Sequence, residues 1–127
     1  MDRRSWDLRL AWAAAGIAGF LWLGIEDQGL AGVFAVAGLL CSAIGLTVLH
    51  KRGRGPAWAM LIGLVLGSAV PLAAILLMFL KVSLHSHPVP EFTPDDVRAA
   101  LSRIPMWALA GLLAGAATAI LRADRRG

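Results

Sequence analysis

Apolar residues in this chain fall into four long blocks, Leu10–Ile25, Gln28–Leu49, Gly55–Leu80 and Ile104–Leu121, and none of the four contains a charged side chain. A helix needs about 17–25 predominantly apolar residues to cross the ~30 Å hydrocarbon core of a bilayer. The last three blocks meet that length directly. The first meets it when Arg9 extends its guanidinium back to the interface. No block alternates apolar and polar residues, so a membrane β-barrel is not expected. Hydrocarbon offers no water to backbone N–H and C=O groups, so each span must be helical. A soluble bundle would need four helices that are apolar on every face, in a chain too small to cover them. The pattern therefore predicts an all-α fold, a four-transmembrane-helix bundle forming one integral membrane domain over residues 1–127. Its spans are expected at about 8–26, 29–50, 56–80 and 105–122, with an extracytoplasmic loop over 81–104.

Composition agrees with the pattern. Hydrophobic residues make up 58% of the 127 positions and charged residues 16%, against roughly 45–50% and 25% in soluble proteins. The single cysteine, Cys41, lies inside the second block and has no partner for an internal disulfide.

Charge fixes an expected orientation. Nine of the twelve cationic side chains fall in the N-terminal tail, the connection around Lys51–Arg54 and the C-terminal tail. The other three, Lys81, Arg98 and Arg103, fall in the long loop. With four spans the nine share one side, so the positive-inside rule places both termini in the cytoplasm. The formal net charge of +4 then reflects topology and anionic headgroups, and no nucleic-acid partner is expected. Tryptophans 6, 12 and 58 near one face and 22 and 107 near the other suit an interfacial aromatic belt. The opening "MDRRSWDLRL" has a basic start, but the apolar run after it is too long for a signal core of about 7–15 residues and ends in no clear cleavage site.

Small residues at four-residue spacing let membrane helices approach closely. The third block carries Gly63 and Gly67, extended by Ala59, and the fourth carries Gly111 and Gly115, extended by Ala119. These steps are expected to pack the bundle internally or to dock a partner helix or a second copy. Pro71, deep in the third block, donates no backbone hydrogen bond and is the candidate hinge. The segments "PAWAMLIGLVLGSA" and "PMWALAGLLAGAA" share a Pro-x-Trp-Ala opening and a Gly-xxx-Gly step, as an inverted repeat would.

Chemistry-bearing residues are sparse. No ionisable side chain falls in the middle of a block, where proton relays and ion pathways place theirs. There is no Gly-rich phosphate loop, H-E-x-x-H or C-x-x-C, so an enzyme is not expected and no cofactor is indicated.

The segment "LHSHPVPEFTPDDVRAALSRIP" is the main polar interruption. Thr93 suits a helix N-cap, Pro94 the first helical position and Asp96 the third, which predicts a helix from about Pro94 to Arg103. Val97, Ala100, Leu101 and Ile104 share one face of it, so an amphipathic helix lying at the interface before the fourth span is expected. Phe92, Val97 and Leu101 are candidate partner-docking residues. Upstream, His85 and His87 point the same way on an extended chain, and with Glu91 they form a candidate metal site. "FLKVSLHSHPVPEFTPDDV" followed by "IPMWALAGLLAG" resembles the loop of small four-helix cyanobacterial membrane proteins of unestablished function, over residues 79–115. That resemblance implies a thylakoid or plasma membrane, with the loop on the lumenal or periplasmic side.

The expected function is that of a non-enzymatic accessory or assembly protein, binding other membrane subunits or itself within the lipid bilayer. The alternatives are a small transporter or channel subunit, and a metal or haem carrier using the His85–His87 loop.

Overall fold

The computed structural model describes residues 3–24, 29–52, 55–84 and 92–124. They form five helices and, among the described residues, no strand: α1 (Arg3–Gly24), α2 (Leu30–Arg52), α3 (Pro56–Leu84), α4 (Pro94–Ser102) and α5 (Ile104–Asp124). Prolines open α3 and α4, where a missing N–H costs nothing and a fixed φ favours the first turn. Helix α3 runs past the expected end at residue 80 to Leu84. Nothing between Leu80 and Leu84 breaks a helix, and Lys81 consequently sits in the last turn of α3 instead of in a loop.

The long helices pack in the order α1, α2, α3, α5, with α3 between α2 and α5. Neighbours are antiparallel. Trp12 meets Thr47 across α1 and α2, and Gly45 meets Leu66 across α2 and α3. Helix α4 packs on α3 and α5. The core lies toward the α4 end, where Trp22, Val33, Phe34, Met78 and Ala100 come together.

The outer faces are apolar and uncovered: Phe20 is 79% exposed, Leu76 70% and Ile120 69%. In water such surface costs roughly 25 cal/mol per Å², and soluble monomers keep patches of it small. Against acyl chains it costs nothing. Three helices, Leu30–Lys51, Pro56–Leu84 and Ile104–Asp124, are long and apolar enough to cross a membrane. The sequence pattern predicts four spans. Helix α1 is not among these three; Asp7 and Arg9 interrupt the apolar run of its described residues.

Candidate functional site

Among the described glycines, those that meet another helix's backbone are at the two glycine steps of α3 and α5. A Cβ on Gly63 would strike the carbonyl oxygen of Gly111 and stand 3.1 Å from the Gly115 nitrogen. A Cβ on Gly67 would strike the carbonyl of Trp107 and stand 3.0 Å from Gly111 Cα. The reverse holds for Gly111 against Gly63 and for Gly115 against Ala59. The contacts survive the exchange of Ala59 with Trp107, Gly63 with Gly111 and Gly67 with Gly115. The two similar sequence segments thus meet face to face about a local two-fold relation. All four glycines named from the sequence are engaged within the chain. Lipid gives helices no hydrophobic reason to associate, so this close packing is what fastens α5 to α3.

The α4 end is held by a different set of contacts. Thr93 caps α4 in a full capping box: the Asp96 N–H donates to Thr93 Oγ1 at 3.4 Å, and the Thr93 N–H donates to Asp96 Oδ2 at 2.7 Å. Helix α4 seats Ala100, which is fully buried, on the bundle. Val97 and Phe92 are half-buried, and Phe92 packs against the core. Leu101, on the apolar face of this helix, is 44% exposed. Asp95 and Arg98 pair at 3.3 Å in full exposure, a contact of little energetic weight.

Three further contacts tie the helices to this end. The Lys81 ammonium lies 4.9 Å from the centre of the Trp22 ring, with Lys81 only 1% exposed. Phe34 stacks on Trp107 with centroids 5.6 Å apart and planes 8° from parallel. The Arg103 guanidinium stands 5.3 Å from the centre of the Phe34 ring. Trp22, which is buried, and Trp107, which bridges α5 to α2, both pack within the bundle. Among the described residues the buried indole nitrogens of both have no acceptor.

Below the Phe34–Trp107 stack, α2 and α5 diverge. A groove of about 780 Å³ opens between them, floored by α3. Small residues line both walls, Ala35, Gly38 and Ser42 on one side and Ala110 and Ala114 on the other. At the far end, across Leu46 and Thr118, it adjoins a depression of about 250 Å³ whose polar lining comprises Asp7, His50, Thr118 and Arg122.

Pro71 is buried within an unbroken α3. His85, His87 and Glu91 lie outside the described residues; among the described residues no group of three or more His, Cys, Asp or Glu is placed to hold a metal ion. Sequence reasoning missed Lys81 as an interior residue, the Arg103–Phe34–Trp107 stack and the groove. The one available signal was the unbroken helical character of residues 80–84, which carries Lys81 back toward Trp22.

No family model, curated protein or solved structure matches this chain.

Proposed function

We propose that this chain is a non-enzymatic, four-span membrane protein that acts as an accessory or assembly subunit of a larger membrane complex, docking through the α4 end. The observation that carries the reading is the posture of α4. Capped by Thr93 and seated on the bundle through Ala100, it still presents Leu101, Asp95 and Arg98 outward. A pre-ordered helix with an exposed apolar residue amid charges can bind a partner with little ordering cost.

Helix α1 completes the four spans. At about 1.5 Å per residue its 22 residues reach ~33 Å, and it runs along α2 from Trp12 beside Thr47 to Gly19 beside Val36. The nine-to-three division of cationic residues supports cytoplasmic termini, and the loop resemblance supports an inner or thylakoid membrane. The close backbone contact at Gly67 leaves a hinge at Gly67–Pro71 little room, which favours this reading over a small transporter or channel subunit.

Mild-detergent solubilisation followed by size separation tests it. The wild-type chain is expected in a high-mass fraction, and Leu101→Glu with Arg98→Glu is expected to release it as a folded small species. A wild-type chain that migrates alone, or a double variant that stays in the large complex, overturns the reading.

A further inference from the structure

We propose that the groove between α2 and α5 binds one anionic phospholipid, with its phosphate at Arg122 and His50 and an acyl chain lying along the α3 floor. The inference is independent of the docking surface proposed at the α4 end.

The compartments are built for an amphiphile. The long one is mostly apolar, and the hydroxyl of Thr118 in its lining already donates to the Ala114 carbonyl at 2.8 Å. The short one holds the charge. Leu46 and Thr118 line both, so the two adjoin across these side chains. Along α2 the groove extends from Phe34 to Leu49, which is ~22 Å of helix. An acyl chain occupies one leaflet, about half of the ~30 Å hydrocarbon core, and fits within that length.

The two ends differ in a way that selects this occupant over a helix. At the α4 end the Phe34–Trp107 stack bridges α2 and α5, and a partner helix spanning the bilayer would have to displace it. At the other end the mouth lies at headgroup level, because His50 and Arg122 stand near the ends of α2 and α5. Arg122 offers a forked donor that matches phosphate geometry, and the imidazole of His50 carries an N–H donor in either tautomer. Asp7, on the α1 side of the mouth, opposes an anion. Basic pockets between spans on the cytoplasmic side are a recurring way of holding anionic headgroups.

Native mass spectrometry of the full-length protein in detergent tests this, with phosphatidylglycerol and phosphatidylcholine of identical chains as probes. The wild type is expected to retain one phosphatidylglycerol in preference to phosphatidylcholine. Arg122→Gln is expected to weaken phosphatidylglycerol about fivefold, the usual worth of one cation near an anionic lipid, and to leave phosphatidylcholine unchanged. Asp7→Asn is expected to strengthen phosphatidylglycerol. Ala114→Phe, which fills the groove from an exposed position, is expected to weaken both lipids, and Ser42→Phe does the same from the opposite wall should the first variant fold poorly. Free glycerol phosphate is expected not to compete, because it lacks the chain. Equal retention of the two lipids by the wild type overturns the proposal. So does lipid retention unaffected by both groove-filling variants, or a wild-type dimer that Ser42→Phe or Ala114→Phe converts to a monomer.

Discussion

The carbonyl oxygen of Gly63 occupies the space that a Cβ on Gly111 would need, and the carbonyl of Gly111 does the same to Gly63. This reciprocal exclusion makes the α3–α5 seam sensitive to a single methyl group. Backbone cannot swing aside as a side chain can, so any enlargement must part the helices.

Gly111→Ala is expected to destabilise the fold by about 1–3 kcal/mol, the usual cost of overpacking a tight contact. Gly16→Ala, at a helix position with nothing within 4 Å of the added atom, is expected to be neutral or stabilising by up to about 1 kcal/mol. Thermal unfolding of both variants in the same detergent checks the contrast.

Removing the cap should loosen α4 alone. Thr93→Ala deletes the Oγ1 acceptor of the Asp96 N–H and is expected to cost ~1 kcal/mol. Hydrogen exchange in a lipid nanodisc should show faster exchange over Pro94–Ser102 and unchanged protection in α3 and α5.

Lys81 and Trp22 should be energetically coupled. A double-mutant cycle with Lys81→Met and Trp22→Leu is expected to return an interaction of roughly 0.5–2 kcal/mol, the range for a partly to fully desolvated cation over an aromatic ring. Additive effects would show that the 4.9 Å approach carries no energy of its own.

The single thiol reports on the core. Cys41 is buried beside the α2–α5 groove, so in a lipid nanodisc a water-soluble maleimide is expected to leave it unmodified and to label it once sodium dodecyl sulfate unfolds the helices. Rapid native labelling would contradict the packing of α2 against its neighbours.

Orientation is checked with reporters. Fusions at residue 1 and residue 127 are expected to report the cytoplasm, and an insertion beside His87 the opposite side. A reporter at 87 that sides with the termini would reverse the topology drawn from the cationic residues.

Sequence alone determined the length and apolar character of the helices. Uncharged blocks of spanning length leave the backbone no option but helix in lipid, and that logic is local, needing only one residue after the next. It also determined α4, because Thr93, Pro94 and Asp96 act within one turn. It named the four glycines as a packing device, since four-residue spacing places each pair on one helix face. Which surface each face would meet was open to the tertiary structure, which set Gly63 against Gly111 inside the chain. The interior place of Lys81, the contacts of Phe34 with Arg103 and Trp107, and the groove walled by α2 and α5 were likewise decided there. Each depends on residues far apart in the chain arriving at one depth in the bilayer. Periodicity fixes the face of a helix, but packing alone fixes its neighbour and the height at which the two meet.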